Sequence, residues 1–238
     1  MAANGASRVT ASRFIHDQLS GIVVSRSRVA RKVEDIEIEI FYDYNCPFVY
    51  RAAKMIEAVA ASGERPLKVS WRYFSLTQVN HHPENPDDRW TVWDAPESET
   101  VRGRLAFKTA EAARRQGRFD AFHRALLESR HGQRLDIERA EVVEKVAADA
   151  GLDVARFRAD QVAPDILERL ARDHSEGRDR HGVFGTPTLV LPGGTAYLRL
   201  SQVLEGAAAV RVFDSVVATI SGEPEVLEIK RPVRPVAV

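Results

Sequence analysis

Residues Ile36 to Tyr42 read Ile-Glu-Ile-Glu-Ile-Phe-Tyr, apolar alternating with acidic and then turning aromatic, the period-two signature of a strand entering a core. Asp43, Tyr44 and Asn45 break it. Pro47 then stands where a first helical turn tolerates a missing amide, ahead of Val49, Ala52, Ala53, Ile56 and Val59 at helical spacing, with Gly63 as the stop. Pro66 to Leu76 alternates again and predicts a second strand, so the opening is a parallel βαβ unit. Cys46 falls at the N-terminus of its helix.

Thr77 to Pro96, rich in Asn, His, Pro and Asp and carrying Trp90 and Trp93, reads as a long loop. Helical periodicity follows over Ser98 to Gln116, Phe119 to Arg130 and a stretch from Asp136, as its cap, to Gly151. Asp153 and Pro164 open two more helices. The pattern returns to strand at Thr188 to Leu191, turns at Gly193-Gly194 and continues over Ala196 to Leu200. A last amphipathic helix, capped by Ser201, runs to Gly222. The order βαβ, helices, ββ hairpin, helix defines an α/β chain. Its predicted divisions are an N-terminal extension at 1–35, flexible in this reading, a domain split over 36–96 and 182–222, an inserted helical subdomain at 97–181, and an extended tail at 223–238.

Composition narrows the chemistry. The 238 residues, 44% hydrophobic, are enough for a substantial core, and 34 basic residues balance 34 acidic ones, so no net field draws the chain to nucleic acid. One cysteine excludes an internal disulfide and a cysteine-rich zinc module. Arg8, Arg13, Arg26, Arg28 and Arg31 flank only a short Ile22-Val23-Val24 run, too short for a signal-peptide core, and no window is long and apolar enough for a membrane helix. The expectation is a cytoplasmic protein with no membrane partner. A thiol at a helix start faces unpaired amides and the positive end of the helix dipole, which favours thiolate.

At Phe41-Tyr42-Asp43-Tyr44-Asn45-Cys46-Pro47-Phe48-Val49 the chain resembles the active-site segment of the DsbA-like branch of the thioredoxin superfamily, whose members include DsbA, FrnE-like proteins and 2-hydroxychromene-2-carboxylate isomerases. Gly185-Thr186-Pro187-Thr188 resembles that family's cis-proline loop. Trp71 to Leu76 is similar to its second strand, and the segment with Phe119, Phe122, His123, Leu126 and Leu127 to its inserted subdomain. The resemblance implies a thioredoxin-like fold with a helical insertion between the βαβ and ββα halves, covering Ile36 to Gly222. It implies Cys46 as nucleophile, with Thr186, Pro187, Pro47 and Phe48 meeting a substrate or thiol cofactor, and Tyr44 and Asn45 as secondary contacts.

The family pattern carries a second cysteine three positions on, where this chain has Val49. A mixed disulfide on Cys46 would therefore need an external resolving thiol, such as glutathione or mycothiol. Relatives of the kappa glutathione-transferase and 2-hydroxychromene-2-carboxylate isomerase type similarly keep one residue at the nucleophile position. Three readings follow: a monothiol thiol–disulfide oxidoreductase acting on small thiols or disulfide-containing substrates, a thiol-dependent transferase or isomerase, and a non-catalytic binding module. A homodimer stays open. The loop residues His81, His82, Asp87, Asp88, Trp90 and Trp93 are read as solvated in preference to metal-binding, and His174 and His181 as surface residues, so no metal is expected.

Overall fold

A computed structural model describes residues 35–82, 87 and 89–231. The predicted N-terminal extension, Asp88 and the end of the tail lie outside that set. Four strands form one mixed sheet in the order β2-β1-β3-β4: β1 (Ile36–Tyr42), β2 (Leu67–Tyr73), β3 (Thr188–Leu191) and β4 (Gly194–Tyr197). β1 runs parallel to β2, with Tyr42 opposite Tyr73, and antiparallel to β3, with Phe41 opposite Thr188. The C-terminal ends of β1 and β2 and the start of β3 therefore share one edge of the sheet. Whatever follows Tyr42 meets whatever precedes Thr188, although some 140 residues of chain separate them.

Helix α1 (Pro47–Ser62) follows β1, with Pro47 in its first turn and Gly63 closing it at φ 67°. Val49, Ala52, Ala53, Met55, Ile56 and Val59 form its buried stripe, and α8 (Gly206–Gly222) packs beside it. Ile38, Ile40 and Tyr42 look into this main core, and Phe41 looks the other way into a cluster with Phe74 and Val183. The acidic positions of β1 do not simply face water. Arg72 on β2 gathers Glu39 at 2.6 Å together with Asp173 at 2.9 Å and Glu176 at 2.5 Å from α7 (Asp165–His181), so a charged network lies between strand and helix.

Several boundaries differ from the sequence reading. β2 ends at Tyr73, and Ser75, whose Oγ accepts from Gln78 N, caps a short α2 (Leu76–Val79) inside the predicted loop. The helix predicted from Ser98 begins as α3 at Arg104 (to Arg115), because Gly103 takes φ 84° and Arg104 ties the preceding segment down through Ala95 O and Glu97. α4 (Phe119–Leu127) passes into a π-helical turn, Glu128–Gly132. Asp136 accepts from Glu138 N and closes a turn, leaving α5 (Ala140–Asp149) to start after Arg139. Asp153 does cap α6 (Val154–Asp160).

β4 stops at Tyr197, and Leu200 O is taken by Arg51 Nη1 at 2.8 Å. Ser201 is not the cap of α8, which starts five residues later behind Glu205. His174 corrects a surface assignment: it is 2% exposed and stacks on Phe74 with centroids 4.4 Å apart. No helix among the described residues is long and apolar enough to cross a membrane.

Candidate active site at Cys46

The Asp43–Cys46 turn is held from below by one carboxylate. Asp43 is buried. Its Oδ1 accepts from Asn45 N and its Oδ2 from Leu76 N, both at 2.8 Å, so a single side chain links the turn before Cys46 to the first residue of α2. Burial pushes this carboxyl up to about 6, against the pull of the two backbone N–H groups. Asp43 O also accepts from Cys46 N at 3.0 Å, which sets Cys46 in extended geometry as the residue before α1.

The Cys46 side chain does not cap its own helix. Its Sγ donates to Thr186 O at 3.1 Å, across the shared sheet edge, and the Thr186–Pro187 peptide bond is cis. Cys46 is buried, with 5% of the residue exposed. Phe48 lies alongside with the guanidinium of Arg199 at 4.2 Å and that of Arg51 at 5.2 Å from its ring centroid. Phe184, two-thirds exposed, meets Tyr197 at 5.1 Å, and the Tyr197 ring lies against Gly185, next to Thr186. Burial and the neighbouring Cys46 both push the Tyr197 phenol up, with Arg199 opposing them. Thr186 Oγ1 is buried with no partner.

The inserted helices grip the same segment from the other side. Tyr44 is fully buried, its hydroxyl 2.9 Å from His123 Nδ1, and its ring packs against Tyr42, Phe107 and His123. The expectation of a ligand contact through Tyr44 is corrected here: its side chain is committed to the core because Trp71, Phe119 and Tyr42 complete an aromatic cage around His123. Desolvation in that cage pushes His123 down to about 3, so the ring is neutral. His131 of the π-helical turn bonds Tyr44 O at 2.8 Å. A carbonyl only accepts, so His131 Nε2 carries the proton. Asn45 Nδ2 and Gly103 N both donate to Glu138 Oε1, at 3.3 and 2.8 Å.

The predicted residues Cys46, Pro47, Phe48, Asn45, Thr186 and Pro187 thus lie within one neighbourhood, and Tyr44 supports it from behind. Asp43, His123, His131 and Glu138 are additions that sequence reasoning did not assign to the site. Asp43 reads as an ordinary strand-ending residue, and no spacing rule couples it to Leu76. His81 packs against Trp90 and Trp93 against His174. Among the described residues no three His, Cys, Asp or Glu side chains gather as a metal site.

A single thiol before a proline-initiated helix, opposite a cis X-Pro bond just before an antiparallel strand, marks a thioredoxin-like fold. The chain belongs to the DSBA-like thioredoxin domain family, which matches residues 37–218. A Mycobacterium tuberculosis protein, Rv2286c, itself uncharacterized, is 27% identical over 207 residues, 84% of either chain. Among solved structures, the cytosolic disulfide reductase DsbM from Pseudomonas aeruginosa with GSH is similar at TM-score 0.54 and 17% identity, over 78% of this chain and 100% of that one. A 2-hydroxychromene-2-carboxylate isomerase is similar at TM-score 0.54 and 18% identity, over 77% and 94%. These likenesses establish the fold.

Proposed function

We propose that the protein is a monothiol thiol–disulfide oxidoreductase. The observation that carries the reading is the 3.1 Å approach of Cys46 Sγ to Thr186 O, which places the sulfur beside a backbone edge where an extended substrate can pair. In the first step the Cys46 thiolate attacks one sulfur of a disulfide. A Cys46–substrate disulfide forms as the substrate S–S bond breaks, and the other half leaves as a thiolate. Val49, fully buried, stands where a resolving thiol would be, so a second, external thiolate attacks the mixed disulfide and releases Cys46. Each cycle consumes one external thiol: one half of the substrate leaves as a thiol, the retained half leaves in a disulfide with the external thiol, and Cys46 is regenerated. A cytoplasmic pool of reduced small thiols is the compartment that suits this cycle.

The test is Cys46→Ser, assayed for reduction of a glutathione mixed disulfide and for a covalent adduct by intact mass. Loss of both is expected, and unchanged turnover removes the proposal.

A second reading is a thiol-dependent transferase or isomerase. The exposed Phe184–Tyr197 pair beside the thiol favours it, since that pair offers a stacking face to an aromatic substrate. Both chemistries occur on this fold, in a disulfide reductase with glutathione and in a 2-hydroxychromene-2-carboxylate isomerase. Retained conversion of an aromatic electrophile by Cys46→Ser with added glutathione would favour this second reading.

A further inference from the structure

β2 is an outer strand of the sheet, and among the described residues no strand pairs with its far edge. Ile36 N donates to Pro66 O and Phe74 N to Tyr42 O. Along this parallel ladder Lys68, Ser70 and Arg72 turn their backbone groups to β1, and Leu67, Val69 and Trp71 turn theirs outward. One end of the outer edge is closed: Arg114 Nη2 donates to Trp71 O at 3.4 Å, and Asp173 Oδ2 accepts from Tyr73 N at 3.3 Å. Next to it a cavity of about 370 Å³ opens, with Val69, Ser70, Trp71, Arg169 and Arg172 in its lining. Its two acids, Glu39 and Asp173, are already held by Arg72. Arg172 is exposed and makes no hydrogen bond or ion pair among the described residues. Arg169 Nε is buried without a hydrogen-bond partner, 3.5 Å from Glu111 and 3.9 Å from Asp173.

A complementary segment leaves the far side of the sheet. The end of α8 lies against the turn between β3 and β4, and the chain beyond it, Glu223 to Arg231, is exposed throughout. Leu227 is 94% exposed and Ile229 76%. In extended geometry these two fall on one face and Glu228 on the other. That alternation matches the β2 edge: Leu67 and Val69 are half-buried at the rim of the main core, and the opposite face carries Ser70 beside the two arginines. A chain's own tail falls short. Val226 N donates to Glu223 O in a turn that keeps Leu227 within about 11 Å of the end of α8, whereas a strand outside β2 lies four spacings, about 19 Å, beyond β4. We infer that the tail of a second copy of this chain, residues 225–230, adds as a strand along the outer edge of β2, with Leu227 and Ile229 covering Leu67 and Val69 and with Glu228 in the cavity on Arg169 and Arg172. The two copies exchange tails reciprocally about a two-fold axis, so no open edge is left to grow from.

The test is sedimentation velocity on the full-length chain over a micromolar to sub-millimolar series, with reductant present so that Cys46 forms no intermolecular disulfide. Hydrogen exchange at residues 67–71 is read at both ends of the series. A dimer forms as concentration rises, and exchange at the Val69 and Trp71 amides slows with it. Leu227→Asp and Ile229→Asp each weaken the dimer about tenfold or more. Both side chains are exposed within one copy, so these variants keep the fold. Arg172→Glu and Glu228→Arg each weaken the dimer too, and the double variant recovers most of the lost affinity, which damage to the fold does not do. A monomer at every concentration, a dimer indifferent to Leu227 and Ile229, oligomers that lengthen without closing, or a double variant no better than the single ones would overturn the inference. Protection of the Trp71 amide that is independent of concentration and disappears on removal of residues 1–34 would also overturn it, and would give the edge to the chain's own N-terminal segment.

Discussion

Asp43 offers the sharpest test of how the thiol segment is held, because one buried carboxylate satisfies two backbone donors on different elements, Asn45 N and Leu76 N. Removing it with Asp43→Ala leaves both N–H groups without a partner, at about 1–3 kcal/mol each, a loss of about 2–6 kcal/mol before the buried charge is considered. Asp43→Asn keeps one acceptor and sets its NH2 against the second donor, about half that loss. The pH dependence separates the charge from the hydrogen bonds. The folded carboxyl lies at about 6, above its ordinary 3.8, so the folded state holds more protons than the unfolded one between these values. Its contribution to stability is therefore complete below 3.8 and is lost as pH rises through about 6. Between about pH 7.5 and about pH 5 the stability advantage of wild type over Asp43→Asn should widen by about 1.4 kcal/mol. Denaturant unfolding at the two pH values measures this directly, and the histidine contributions cancel in the subtraction. The Ala variant should also alkylate faster at Cys46, since the turn that shields the sulfur is released. Parallel pH profiles for wild type and Asn, or an Ala variant as stable as wild type, would refute the clamp.

Other outcomes follow from packing and burial. A Cβ on Gly177 would stand 2.7 Å from the ring of fully buried Phe41, so Gly177→Ala should destabilise by about 1–3 kcal/mol despite better helix propensity. Phe41→Leu in the same chain should relieve part of that loss, and additive effects would count against the clash. Buried His123 and His174 lie at about 3 and about 4, below the ordinary 6.5, so the unfolded chain binds more protons and stability falls with pH. From about pH 7.5 to about pH 5 each should cost about 2 kcal/mol, and His123→Phe should flatten the acid limb of a Tm profile. Ser75→Ala removes the acceptor for Gln78 N and should cost about 1 kcal/mol by denaturant unfolding, with no change in m-value.

Much of the architecture is legible along the chain because it depends on local rules. Ile36 to Tyr42 alternate, Pro47 opens a helix, Gly63 closes it, and Asp153 caps another, each an interaction within a few residues. The position of Cys46, the proposed nucleophile, ahead of α1 was legible for the same reason, since one cysteine before a helix-starting proline is a local pattern. The boundaries that slipped are those where a distant partner overrides propensity. Arg104 reaches Ala95 and Glu97 and delays α3, and Arg51 takes Leu200 O just beyond β4.

The amino-acid order alone determined the succession of strands and helices and the one thiol available for covalent chemistry. Only the tertiary structure decided what surrounds that thiol. The antiparallel pairing of β1 with β3 brings Thr186 to Cys46, the insertion folds back to bury Tyr44 against His123, and the π-helical turn sets Arg130 and Arg134 beside Asn45. Periodicity records which face of an element avoids water and is silent on which remote element covers it, because burial is non-directional and the hydrogen bonds that choose a partner depend on a few atoms meeting across long separations.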